Sequence, residues 1–240
     1  MAAPSIIGIG TNSKAFTSTG TRTSSTYSYT IPANANTVIV VAMLNVAIAE
    51  TNVITSLTLG SRSPSLSINP TPDTTNGDYV ANSIRINIYD VSGEAASTEN
   101  IVASFGSTSA RDIVGVVATD GYIQSASLQL DRAEQSILAQ SITGDESNTR
   151  LLSIVAMDKN AEFVTTNGTG TEIFASENTD NFSGFGISST TVVNGATTIE
   201  YFPTAAGDLV GTEIILTSKP NPFADVNPTG DIISHDIITN

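Results

Sequence analysis

The stretch Thr37–Ala49, TVIVVAMLNVAIA, constrains this chain more than any other. It is almost continuously apolar, rich in Val and Ile, and ends at polar Glu50-Thr51-Asn52. An apolar run of this kind fits a buried helix as well as a buried strand, so branching and flanking breakers decide. β-branched side chains pack well on a pleated surface, and Pro32, Asn34 and Asn36 punctuate the approach, so a strand is expected. Arg150–Met157, RLLSIVAM, is a second stretch of the same kind. Two core strands so far apart predict one long-range sandwich rather than a chain of local hairpins, with Val38, Val40, Leu152 and Ile154 in its core.

The remaining sequence is dominated by short strand patterns. Thr26–Ile31 alternates Tyr27, Tyr29 and Ile31 with small polar residues, and Ser83–Val91 places Ile84, Ile86 and Ile88 on one face. Ile113–Ala118, IVGVVA, is again wholly apolar. Gly60–Pro64 between Val53–Leu59 and Ser65–Ile68 reads as a hairpin turn, and Asn194-Gly195 reads as a type I′ hairpin signal. Ala133–Ala139 is the one stretch with a helical character, amounting to one turn or none, and Ser136–Thr143 reads equally as a strand. Charged residues make up only 13% of the chain, whereas exposed helix faces usually carry Lys and Glu. About a dozen short strands separated by turn signals predict an all-β protein.

Three segments are expected. Residues 1–23, rich in Gly, Ser and Thr, read as an N-terminal arm or edge strand; residues 24–218 read as a single β-sandwich domain. Residues 219–240 read as a C-terminal arm, because Pro220, Pro222 and Pro228 remove backbone donors and exclude a central strand. Beyond those prolines, Ile232, Ile233, Ile237 and Ile238 form an apolar group suited to assembly contacts.

The chemistry is sparse. A net charge of −14 argues against nucleic acid, since phosphate binding needs clustered Lys and Arg. The absence of cysteine excludes disulfides and thiolate metal sites. The N-terminal sequence lacks a basic segment followed by a long apolar one, and no run reaches transmembrane length, so a soluble chain made in a cytoplasm is expected, with no membrane partner. His235 is the only histidine and sits in the tail, where adjacent Ser234 and Asp236 diverge from it in an extended segment. Asp131 with Glu134, Asp145 with Glu146, and Glu177 with Asp180 are the carboxylate pairs to weigh for glycoside hydrolysis. All three read as solvated surface acids. Asp73, Asp78, Asp145, Glu146, Asp180 and Asp208 lie near turns but match no EF-hand spacing. No catalytic, cofactor-binding or metal-ligating residue is therefore assigned, and no cofactor is expected.

The order of apolar pieces carries a resemblance. Asn36–Leu44 (NTVIVVAML) and Ile54–Gly60 (ITSLTLG) are followed by an alternating strand, a loop and the strand IVASF. Asp112–Ala118 (DIVGVVA), Asn148–Met157 (NTRLLSIVAM) and Thr212–Thr217 (TEIILT) complete the series. Over residues 24–218 this resembles the jelly-roll-like antiparallel β-sandwich domains of bacteriophage structural proteins. The resemblance implies a non-enzymatic virion protein with extended N- and C-terminal arms, foremost a capsid decoration or cement protein. Its expected partners are other virion proteins, the major capsid protein among them, and copies of itself as a homo-oligomer; its expected location is the virion, after synthesis in the host cytoplasm. A receptor- or glycan-binding module of a tail fibre or adhesin is the alternative.

Overall fold

The structure is a computed structural model of the 240-residue chain. It describes residues 3–10, 16–44, 54–68, 84–135, 138–144, 149–157, 163–165, 171–177, 184–191, 195–203, 207–218, 224–226 and 232–234. Every regular element among them is a strand and none is a helix. In chain order these are β1 (Ile6–Ile9), β2 (Phe16–Ile31), β3 (Thr37–Leu44), β4 (Ile54–Leu59), β5 (Leu66–Ile68) and β6 (Ile84–Asp90). There follow β7 (Ser97–Thr119), β8 (Tyr122–Gln135), β9 (Leu138–Gly144), β10 (Thr149–Met157), β11 (Phe163–Thr165) and β12 (Thr171–Glu177). The last are β13 (Gly184–Thr191), β14 (Gly195–Pro203), β15 (Gly207–Thr217), β16 (Ala224–Val226) and β17 (Ile232–Ser234).

The first half of the chain forms one 7-stranded antiparallel sheet whose spine is β7. Along one edge of β7 run β1, opposite Val117–Thr119, and then β2, opposite residues that extend from Val114 back to Ser97. Along its other edge run β3, opposite Asp112–Thr119, and then β4, opposite Ile101–Phe105. On the far side of β3 lie β6 and then β5. The second half supplies a 5-stranded sheet in the order β12-β13-β10-β15-β8, a 3-stranded sheet β11-β14-β9, and the pair β16-β17.

Two buried clusters explain why β3 has no polar face. Ile39, Val41 and Met43 point to a cluster completed by Ile86, Ile88, Ile113 and Val117 from the first sheet and by Leu152, Ile154, Ile214 and Leu216 from the second. This is a sandwich core shared by two sheets. Val38, Val40 and Ala42 point the other way, into a cluster made with Tyr29, Ile31, Leu57, Leu59, Tyr89, Ile101 and Ala103. Those partners come from β2, β4, β6 and the first half of β7, so the first sheet folds back over its own second half. A strand buried on both faces reads as a continuous apolar run, which is the pattern of Thr37–Leu44. Val38, Val40, Leu152 and Ile154 are all 0% exposed, but the first two and the last two serve different clusters.

Several local readings change. Gly60–Pro64 does not close a hairpin: β4 pairs with β7, whereas β5 pairs with β6, so the turn carries the chain from one layer to the next. Gly60, with φ 56°, and an Arg62 N–H donated to the Leu59 carbonyl make the corner. Gly195 likewise opens β14, which pairs with β9 and β11, while β13 pairs with β10 and β12; residues 192–194 lie outside the described residues. β2 begins at Phe16, so the strand pattern recognised from Thr26 extends through a polar, Gly-containing segment. Ile6–Ile9 is an edge strand on β7. Ala133–Gln135 ends β8 and Leu138–Ala139 begins β9, so strand pairing across β15 and β14 overrides the weak helical character there.

Fully burying a side chain such as Ile39 or Ile101 contributes about 1.5–3 kcal/mol, and its removal also leaves a cavity. Ile39→Ala and Ile101→Ala, one in each cluster, are each expected to lower the unfolding free energy by about 2–5 kcal/mol in denaturant titrations. Thr26→Ala on the exposed face of β2 is expected to stay within about 0.5 kcal/mol. An Ile101→Ala variant as mild as Thr26→Ala would show that the folded-back layer is not a core.

Candidate functional site

The most buried charge among the described residues is Asp112, 1% exposed, in β7 where it passes from its β2–β4 neighbours to its β3 neighbour. Alternation along β7 turns it toward the same side as Val114 and Val116, into the folded-back layer. Ser25 Oγ donates to its Oδ1 at 2.7 Å and Tyr27 Oη donates to its Oδ2 at 2.6 Å. Arg22 Nε lies 3.8 Å from Oδ1. All three partners come from β2, so the cluster ties the inner face of that strand to the bend of β7. Burial pushes the Asp112 carboxyl above its ordinary range, while the two hydroxyl bonds and the Arg22 charge pull it back.

A second polar group sits beneath β4. Asn87 is 1% exposed, donates through Nδ2 to the Leu57 carbonyl at 2.6 Å, and accepts from Ser67 Oγ at 2.7 Å. Tyr89 Oη donates to the same carbonyl at 3.3 Å, and Arg85 donates to the Thr55 carbonyl at 2.8 Å. Side chains of β6 thus satisfy the backbone edge that β4 turns away from β7, where a ladder partner would otherwise be needed.

A third group closes one end of the molecule. Arg150 of β10 donates to the Pro4 carbonyl, and Ser5 N–H donates to Asp120 Oδ1 at 2.6 Å. Thr119 Oγ1 donates to the Ser5 carbonyl and Thr37 Oγ1 to the Gly121 carbonyl, each at 2.8 Å. These bonds join the N-terminal segment to both large sheets. At the surface, Arg62 pairs with Glu94 and lies 3.3 Å from Glu99, and Gly60 beside it has φ 56°, where a side chain is strained. A Cβ on Gly60 would stand 2.2 Å from Glu99 Oε2.

The residues weighed from the sequence are dispersed. Ile232 and Ile233 lie in β17, opposite Val226 and Asp225 of β16, and the backbone of β17 approaches β8. Ile237, Ile238 and His235 lie outside the described residues. Asp131 and Glu134 are in strand β8 rather than in a loop, Asp208 is in β15 and Glu177 ends β12. Asp73, Asp78, Asp145, Glu146 and Asp180 are outside the described residues. Among the described residues, no group of three His, Cys, Asp or Glu side chains is placed to hold a metal ion, and no helix is long and apolar enough to cross a membrane. Sequence reasoning missed Asp112, Asn87 and Arg150. Asp112 and Arg150 each left a trace, as the charged residue opening an otherwise apolar run.

The geometry supports structural ties between layers. The Asp112 carboxyl is committed to two hydroxyl donors on its own flanking strand, and the Asn87 amide is satisfied on both its oxygen and its nitrogen. No protein-family model, no curated protein and no solved structure matches this chain.

A carboxyl whose folded pKa lies above its unfolded value favours the folded state most when protonated. That contribution is complete below about pH 4 and is lost as the pH rises through the folded pKa. Asp112→Asn is therefore expected to gain stability relative to the parent chain as the pH rises above about 4. Ser25→Ala is expected to cost about 1.5–3 kcal/mol near neutrality, because it removes a bond to a buried charge. Urea melts at several pH values check both; an Asp112→Asn difference that does not vary with pH would show that this carboxyl titrates like an exposed one.

Proposed function

We propose that this chain is a non-enzymatic structural protein of a bacteriophage virion, and foremost a decoration or cement protein that binds the shell. The reading rests on the resemblance of residues 24–218 to jelly-roll-like virion domains. The observation that supports it best is the all-β, antiparallel architecture with a β3 strand buried on both faces and two sheets sharing a core. Such a fold meets mechanical load with many ladder bonds in parallel, which suits a shell component. Its partners are the major capsid protein and further copies of itself, and it acts at no catalytic centre.

In this reading the segment after Ser218 is an assembly arm. The arm's prolines keep it from a central strand. Ile232, Ile233, Ile237 and Ile238 supply apolar groups for a neighbour's groove, each contributing about 1.5–3 kcal/mol if fully buried there. The approach of β17 to β8 offers the same segment a resting place on its own chain.

Truncation after Ser218 is expected to leave a folded, soluble chain with a nearly unchanged melting temperature and poor incorporation into particles. Quantitative mass spectrometry of purified particles is expected to find copies of the full chain by the hundred. Only a handful per particle favours the fibre reading, and complete absence from particles removes both.

A further inference from the structure

The second half of the chain repeats the strand plan of the first. The path β1-β7-β3-β6-β5 matches β8-β15-β10-β13-β12 strand for strand, with every pair antiparallel. The first half of β7 is flanked by β2 and β4, and β14 is flanked by β9 and β11 in the same way. In chain order β1–β6 correspond to β8–β13, and β7 corresponds to β14 followed by β15.

The register matches as well. Ile39 and Leu152 both face the cluster between the sheets, Ile39 opposite Val117 and Leu152 opposite Ile214. On the next strand over, Ile9 stands opposite Val117 and Ala126 opposite Ile214. Further along, Ile6 stands opposite Thr119 and Ile123 opposite Leu216. Both edge strands thus take one residue more than their partner, Ile7 in β1 and Gln124 in β8, at the same step of the ladder. A bulge has a specific place in a ladder, so its recurrence at a matching position is more than a shared strand order would give.

The joint between the halves is reciprocal. In this correspondence Pro4 matches Gly121, and Thr37 matches Arg150. Thr37 Oγ1 donates to the Gly121 carbonyl at 2.8 Å, and Arg150 donates to the Pro4 carbonyl, so each half gives the other the same bond. A Cβ on Gly121 would stand 2.6 Å from Pro4 Cβ, so two matching residues meet, as they do beside a two-fold axis. Ile6, Ile39 and Val117 and their counterparts Ile123, Leu152 and Ile214 all pack in the one shared cluster. A contact in which the same patch serves on both sides is isologous, the form of a two-fold dimer.

We propose that the chain is two copies of one sandwich unit, residues 4–119 and 121–216, joined face to face as a dimer is. The sheet face that carries Ile39 and Val117 is then a recognition surface for a unit of its own kind, supplied by the same chain. This goes beyond the virion reading and does not depend on it. It divides the single sandwich expected over residues 24–218 into two. The inner core of the first unit is the folded-back cluster, whose described members lie between Ile7 and Ala118. The second unit needs an inner core of its own on the far face of β10. Leu151 and Ser153, both 0% exposed, point there, away from the shared cluster that receives Leu152 and Ile154. β9 approaches β15, and β11 and β14 approach β13. The β9-β14-β11 sheet is therefore the layer that covers Leu151 and Ser153, as β2, β4 and the first half of β7 cover Val38 and Val40.

Methyl NOE spectroscopy on the unaltered full-length chain, labelled at Ile, Leu, Val and Ala methyls, tests this without a variant. β9, β11 and β14 carry Leu138, Ala139, Ile142, Val164, Ala196 and Ile199 as reporters. The Leu151 methyls are expected to show cross-peaks to at least one of these reporters and none to Val38 or Val40. Leu152 and Ile154 are expected to show cross-peaks to Ile39, Val41 or Val117 of the other unit. A Leu151 that reaches none of the reporters overturns the proposal, because the second unit then lacks a layer of its own. Cross-peaks from Leu151 to Val38 or Val40 overturn it too, since the two inner cores would then be one. Either result leaves the particle experiment to decide the virion reading.

Discussion

β7 is the constraint on which the first half of the molecule depends. Its second half, Asp112–Thr119, carries buried side chains on both faces and is paired along its edges, so its backbone groups must be satisfied by neighbouring strands. Four separate strands, β1 through β4, exist as its partners. Because its first half pairs with β2 and β4 and its second half with β1 and β3, the bend between them folds one sheet into two layers. Asp112 sits at that bend, and its bonds to Ser25 and Tyr27 tie the upper layer down. Desolvation raises the pKa of this carboxyl, and the hydroxyls of Ser25 and Tyr27 and the charge of Arg22 offset part of that cost.

The second constraint is the edge of β4 that faces away from β7. Among the described residues β4 has a ladder partner on one side only, and side chains of β6 reach the other side. Asn87, Tyr89 and Arg85 reach up from β6 to the carbonyls of Leu57 and Thr55. This closes the layer without a full ladder. At the opposite end, Arg150, Asp120, Thr119 and Thr37 join the two large sheets to the N-terminal segment, so the sandwich is held by apolar burial in the middle and by polar ties at its margins.

Much of the fold was legible in the sequence, for physical reasons. Thr37–Ala49 and Ile113–Ala118 read as buried strands because the alternate faces of Thr37–Met43 and of Ile113–Ala118 both meet apolar neighbours. Arg150–Met157 reads so because Leu152 and Ile154 enter the core between the sheets; residues 45–49 lie outside the described residues. The alternation in Ser83–Val91 was read correctly for Ile84, Ile86 and Ile88, but it concealed the burial of Asn87 and Tyr89 on the opposite face. A polar residue satisfied by a distant carbonyl looks like a solvated one until its partner is known. Turn chemistry identified the corner at Gly60 but not the layer to which the chain goes next, since positive φ fixes a local reversal and not a pairing. The strand character of Phe16–Ser25 was hidden because its small polar residues are held by the ladder to β7 rather than by a hydrophobic pattern. Of the candidate site, the sequence supplied the apolar isoleucines of the C-terminal segment and none of the interlayer ties.

Hydrogen exchange followed residue by residue tests the doubly buried spine most directly. If β3 and the second half of β7 are covered on both faces, the amides of Val38–Met43 and Val114–Ala118 open only with global unfolding, and their protection equals the unfolding free energy from denaturant melts. The amides of β1 at the edge exchange faster, through local opening. Equal, low protection in β1, β3 and β7 would contradict the account, because it would mean that the central strands are reached by water without unfolding the chain.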